Sequence, residues 1–160
     1  MAKKRVYVET SVISYYTAWP SRDVIKLAKQ QLTRIWWAQR DKWDLFVSPV
    51  VLDEIADGDP LAADERLAVA RALPVLPDHP RVMEIADKLA VGVPIPEKAQ
   101  ADAVHLALAA FHGMDYLVTW NQTHLDNPHL RERINRILKE QGVFPALVLT
   151  PERLLEPGHD

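Results

Sequence analysis

Arg5-Val6-Tyr7-Val8-Glu9, running straight into Thr10-Ser11, is the stretch on which the reading of this chain turns. A short β-branched and aromatic run predicts a first strand, ended by an acid and a polar turn. Beyond it the period changes. Val24, Ala28, Leu32, Ile35 and Trp36 recur at three- and four-residue spacing between Lys26, Lys29, Arg34 and Arg40. That pattern predicts an amphipathic helix from Asp23 to about Arg40, opened by Ser21 or Asp23. Leu45 to Ser48 then reads as a second strand, and Pro49 suits the first turn of a short helix over Val50 to Ile55.

The same alternation continues along the chain. Leu61 to Leu73 is alanine-rich and helical by propensity, and Pro74 to Pro77 is an extended link with the length of a short buried strand. Arg81 to Val91 predicts a helix closed by Gly92 and Pro94, and Pro96 to Phe111 predicts the most apolar helix, closed by Gly113. Tyr116 to Thr119 reads as a strand. Residues 129 to 140 form a charged helix burying Leu130, Ile134, Ile137 and Leu138, and Phe144 to Leu149 is a last strand. Strands alternating with helices predict an α/β fold around a mainly parallel sheet. With no internal repeat and no long linker, the expectation is one domain over residues 1–156 and a frayed tail at 157–160.

Composition narrows the chemistry. A chain of 160 residues can bury a real core without cross-links, and the absence of cysteine excludes disulfides, thiolate metal sites and a thiol nucleophile. Met1 to Arg5 is followed by only three apolar residues, too few for a signal-peptide core, and a soluble cytoplasmic protein is expected. The formal net charge of −3 means that a nucleic-acid partner would be held by a local basic patch rather than by the global field.

In open α/β sheets, ligands collect outside the carboxyl ends of the strands. Unusual polar residues fall there: Glu9, Thr10 and Ser11 after the first strand, Asp53 and Glu54 after the second, and Thr119, Trp120 and Asn121 after the strand at 116. Asp102 and His105 add a fourth group, since they interrupt the apolar helix at a spacing of three and share a face. A carboxylate inside so apolar a helix needs a partner or a cation, whereas His105 reads as a hydrogen-bonded supporting residue. If Glu9, Glu54, Asp102 and Asn121 converge, three carboxylates and an amide favour a hard divalent cation, Mg²⁺ or Mn²⁺, and suit phosphodiester hydrolysis.

These residues resemble the PIN-domain nucleases, and among them the VapC-type toxins of toxin–antitoxin pairs. Val6-Tyr7-Val8-Glu9-Thr10-Ser11 is similar to the family's first motif, Pro49-Val50-Val51-Leu52-Asp53-Glu54-Ile55 to its second, Ala101 to Ala109 to its third and Leu117 to Asn121 to its fourth. The motifs occur in the family's order over about residues 5 to 125. The resemblance implies a three-layer α/β/α domain, Mg²⁺- or Mn²⁺-dependent endoribonuclease activity on RNA, and inhibition by a small cognate antitoxin. A homodimer is expected alongside, and no membrane partner. By position, Glu9, Glu54 and Asp102 would be metal ligands and, with Asn121, catalytic, while Thr10, Ser11, His105 and Thr119 would organise the site. Glu9 stands where the family usually has Asp, and Asn121 where it often has Asp. Losing that last charge leads to the expectation of one well-formed cation site.

For the RNA backbone, the basic candidates are Arg131, Arg133, Arg136 and Lys139, with Lys3, Lys4 and Arg5 before the first strand. Trp19, Trp36, Trp37 and Trp43 cluster in sequence, and Trp37, off the buried stripe, is the candidate for antitoxin docking. Two other classes compete. An aspartate-based phosphotransfer domain is disfavoured, because Glu9-Thr10-Ser11 lacks paired aspartates and no Lys follows the last strand. A degenerate PIN-like domain that binds RNA or protein without catalysis draws its support from Asn121.

Overall fold

A computed structural model describes residues 2–94, 100–121 and 127–160. Its centre is strand β1 (Arg5–Val8), in which Val6, Tyr7 and Val8 are fully buried. β2 (Asp44–Phe46) pairs with one edge of β1 and β3 (Tyr116–Val118) with the other, and β4 (Leu147–Leu149) completes the order β2-β1-β3-β4. All three pairings are parallel, with Tyr7 opposite both Phe46 and Leu117. A central strand covered on both faces must be apolar throughout, which is why residues 6–8 do not alternate.

Helices α1 (Thr10–Thr17) and α2 (Val24–Ala38) lie in the β1-to-β2 crossover, and α7 (Pro128–Glu140) lies in the β3-to-β4 crossover. Those crossovers step in opposite directions across the sheet, so their common right-handedness puts them on opposite faces. α3 (Pro49–Ile55), α4 (Pro60–Ala70), α5 (Pro80–Gly92) and α6 (Gln100–Phe111) connect β2 to β3. α1 packs on α2, α3 and α4, whereas α5 packs on α6 and α7. The result is the expected α/β/α arrangement around a parallel sheet. Among the described residues, no helix is long and apolar enough to cross a membrane.

Several local expectations are corrected. Thr10-Ser11 is not a turn but the start of α1, because the Glu9 side chain accepts the Ser11 N–H and caps the helix. Glutamate is outside the usual capping set, and Thr, Ser, Val and Ile are weak helix formers, so sequence rules pass over it. The strand expected at residues 45–48 is Asp44–Phe46, and residues 74–77 contribute only an isolated parallel bridge, Val47 to Val75, with Val75 exposed. Gly92 ends α5 without a left-handed turn. A Cβ there would lie 2.6 Å from Cδ1 of Ile137, so its smallness lets α5 and α7 approach. The start of the apolar helix at Pro96 lies outside the described residues.

α2 is rotated away from its predicted stripe. Val24, Ala28 and Ile35 are exposed, and Gln30, Thr33, Trp36 and Trp37 are buried. The two buried polar residues are hydrogen-bonded, which makes their burial tolerable. Gln30 accepts from the Ser21 N–H at 2.9 Å and donates to the Trp19 carbonyl at 3.0 Å, tying the α1–α2 connection. Thr33 donates to the Lys29 carbonyl at 2.6 Å and accepts from the Trp120 indole at 2.8 Å. A last short helix, α8 (Pro151–Leu154), went unpredicted. Near the C-terminus, Trp43 Nε1 donates to the His159 carbonyl at 2.9 Å, and the His159 ring meets Tyr116 edge-on.

Candidate active site

The strand order reverses beside β1, and the first half of the site lies there, between the ends of β1 and β3. The Glu9 N–H donates to the Val118 carbonyl at 3.1 Å, which fixes the exit of β1 against β3. The Glu9 side chain is buried, and its Oε2 accepts from the Ser11 N–H at 2.9 Å, from the Thr119 hydroxyl at 2.8 Å and from the Ser11 hydroxyl. Ser11 Oγ in turn accepts the Trp120 N–H at 2.9 Å, and Thr119 Oγ1 accepts the Asn121 N–H at 2.9 Å. Both hydroxyl protons are therefore spent on Glu9, and both oxygens hold the backbone that follows β3. Among the described residues, Oε1 of Glu9 takes no hydrogen bond.

The second half is built from β1, α3 and α6. Ser48 caps α3, its Oγ accepting the Val51 N–H at 3.2 Å, and the helix presents Glu54 while leaving Asp53 exposed. Oε1 of Glu54 accepts from the Thr10 hydroxyl at 2.6 Å and from Nε2 of His105 at 2.8 Å. His105 is 2% exposed, and its Nδ1 lies 2.6 Å from the Tyr7 hydroxyl, which lies 2.8 Å from Ser48 Oγ. A carboxylate only accepts, so Nε2 carries a proton. Burial pushes the Tyr7 phenol far up, opposed by the Ser48 hydrogen bond and reinforced by the charges of Glu9 and Glu54, so it stays protonated. With a neutral imidazole, Ser48 donates to Tyr7, Tyr7 to His105 Nδ1 and His105 to Glu54, and every proton has an acceptor.

Burial pushes the Glu54 carboxyl up, but hydrogen bonds from His105 and Thr10 outweigh it and hold the carboxyl below the usual range. Thr10 serves Glu54 and its neighbour Ser11 serves Glu9, so two consecutive residues at the start of α1 join both halves. Asp102 is half-buried in the first turn of α6, one turn before His105 and on the same face.

No family model and no curated protein matches the sequence. Solved structures do match. VapC20 of Mycobacterium tuberculosis, described as a sarcin–ricin loop cleaving toxin, superimposes with a TM-score of 0.59 at 17% identity, over 74% of this chain and 91% of that one. VapBC2 of Rickettsia felis, solved bound to a DNA fragment from its promoter, superimposes with a TM-score of 0.54 at 12% identity, over 91% of this chain and 98% of that one. The chain has the fold of the VapC toxins.

Within this VapC fold, Glu9, Ser11 and Thr119 form one hydrogen-bonded set and Thr10, Glu54 and His105 another, and the consecutive residues Thr10 and Ser11 put the two side by side. Asn121 joins the first set through its backbone, with an exposed side chain. Sequence reasoning passed over Tyr7 and Ser48 as parts of the site and marked Trp120 only by its place after the strand at 116. Their signals were present: a phenol inside a fully buried strand needs a partner, and a serine before Pro49 is a helix cap.

Among the described residues, no three acidic or histidine side chains already stand together as a cation cage. The donor chemistry nevertheless fits a hard cation. Among the described residues, Glu9 offers a buried carboxylate with one oxygen saturated and the other without a hydrogen bond, Glu54 is bound through Oε1 alone, and Asp102 shares a face of α6 with His105.

The expected basic and aromatic surfaces are partly corrected. Lys3, Lys4 and Arg5 sit at the amino end of β1, about 13 Å from its carboxyl end for four extended residues, so they do not face the site. Arg131, Arg136 and Lys139 do line a groove of about 430 Å³ with Glu132 on α7. Trp37 is not exposed: Trp36, Trp37 and Trp43 pack together in the core, and only Trp19 of the four stands in solvent, 86% exposed.

Proposed function

We propose that this chain is a Mg²⁺- or Mn²⁺-dependent endoribonuclease, the toxin of a toxin–antitoxin pair. The observation that supports it most is that consecutive residues at the start of α1 bind the two acids, Thr10 holding Glu54 and Ser11 holding Glu9, beside the carboxyl end of β1, while His105, which also binds Glu54, shares a face of α6 with Asp102. Glu9, Glu54 and Asp102 would hold the cation. When bound, the cation supplies charge neutralisation at the phosphate and a more acidic attacking water. Ser11 and Thr119 orient Glu9, Thr10 and His105 orient Glu54, and the exposed Asn121 amide would meet substrate. The resemblance to VapC20, itself a toxin that cleaves the sarcin–ricin loop, supports RNA as the substrate, and VapBC2 supports a small antitoxin as the partner. A cytoplasmic homodimer belongs to the same reading.

Purified protein incubated with structured RNA and Mn²⁺ or Mg²⁺, with a chelator control, tests this reading. Internal cleavage that the chelator abolishes is expected. Binding without cleavage in either metal would instead favour a non-catalytic PIN-like domain, a reading motivated by Asn121 and by the separation of the three acids.

A further inference from the structure

We infer that the face formed by Tyr15, Trp19 and Trp120, with Lys26 and Lys29, is a track that stacks the bases of single-stranded RNA leading into the carboxylate site. The inference rests on the ribonuclease reading and adds how substrate is held. Ser11, Tyr15 and Trp19 follow one another at four-residue intervals, so Tyr15 lies about 6 Å along α1 from the Glu9 partner Ser11, on the same face. Trp19 comes just beyond the Ala18 cap and is 86% exposed. The Tyr15 ring meets Trp120 at 6.0 Å between centroids, and Trp120 is bound directly to the site through its N–H on Ser11 Oγ. The indole of Trp120 is fixed by Thr33, so its orientation is set before substrate arrives.

Charge selects the occupant. Lys29 Nζ lies 5.6 Å from the centre of the Trp120 ring, and Lys26 lines a groove of about 380 Å³ with Tyr15 and Trp19. From Thr10 to Arg34 the sequence carries Arg22, Lys26, Lys29 and Arg34 against Asp23 alone, a basic segment in a chain of net charge −3. Asp23 is spent capping α2. Aromatic rings interleaved with cations and continuous with a phosphodiester site match single-stranded nucleic acid: π-faces for bases and ammonium groups for phosphates. An apolar protein helix would gain nothing from the lysines and has no reason to lead to Ser11.

The test is binding of a ten-nucleotide single-stranded RNA, fluorescently labelled, to the full chain in chelator, so that cleavage does not intervene. Trp19→Ala, at a position too exposed to affect folding, is expected to weaken binding about fivefold or more. An RNA of the same length lacking its bases should bind wild type correspondingly less well and be indifferent to Trp19→Ala. The pair Lys26→Gln and Lys29→Gln should flatten the dependence of affinity on salt. Unchanged affinity in Trp19→Ala and in the double lysine variant overturns the track and leaves the face to a protein partner. Cleavage by wild type in Mn²⁺ is scored separately: cleavage with unchanged binding sinks the track alone, whereas base-dependent binding without cleavage sinks the ribonuclease reading and supports the track.

Discussion

His105 donates from Nε2 to Oε1 of Glu54 across 2.8 Å, while its Nδ1 meets the Tyr7 hydroxyl at 2.6 Å. The ring therefore couples the central strand to the acid of α3 from a position on α6. Removing it in His105→Ala leaves a cavity, a buried Tyr7 hydroxyl and a half-buried Glu54 carboxylate without their partner. We expect a loss of about 2–4 kcal/mol in chemical denaturation. A loss below about 0.5 kcal/mol would mean that the network does not hold the fold together.

Tyr7→Phe removes the link between Ser48 and His105 and should cost about 1–3 kcal/mol. The sign of its pH dependence follows from burial. Because the folded protein keeps this phenol protonated well above its usual range, the unfolded chain alone ionises near pH 10, and stability falls as pH rises past that value. In an ultraviolet titration, wild type should show one tyrosine that ionises only with unfolding, and Tyr7→Phe should lack it.

The depressed Glu54 carboxyl acts at the other end of the scale. Its contribution is complete above the ordinary glutamate value of about 4.3 and is lost as pH falls through the lower folded-state value. In chelator, Glu54→Gln should therefore have a lower urea midpoint than wild type at pH 7, and the two should converge towards pH 3. A gap that widens on acidification would contradict the assignment.

The buried and exposed tryptophans make opposite predictions. Trp37 packs on Tyr16, Trp36 and the Arg40 guanidinium, so Trp37→Ala should cost about 3–5 kcal/mol. Trp19→Ala should stay within about 0.5 kcal/mol of wild type. Thermal denaturation of the two variants side by side separates a core role from a surface one.

The sequence made the strand–helix alternation legible because residues 6–8 of β1 are all apolar and α2, α3, α4, α5 and α7 open on a capping residue or a proline. The acids at strand ends were visible for the same reason: Glu9 and Glu54 interrupt or follow segments that are otherwise buried. What stayed hidden depends on contacts between distant segments. The buried face of α2 is set by Gln30 and Thr33, whose partners Ser21, Trp19 and Trp120 no periodicity reveals. α1 hides because its cap is a glutamate that also belongs to the site. Tyr7 and Ser48 both read as ordinary strand residues until His105 arrives from 98 residues away to join Tyr7.

The most direct measurement is RNA cleavage in Mn²⁺ by wild type, Asp102→Asn and Glu54→Gln, each checked by circular dichroism for a folded α/β domain. The account predicts metal-dependent internal cleavage by wild type and a loss of about a hundredfold or more in both variants, since each removes a charge meant for the cation. Cleavage that persists near the wild-type rate in either folded variant, or that a chelator leaves untouched, would contradict it.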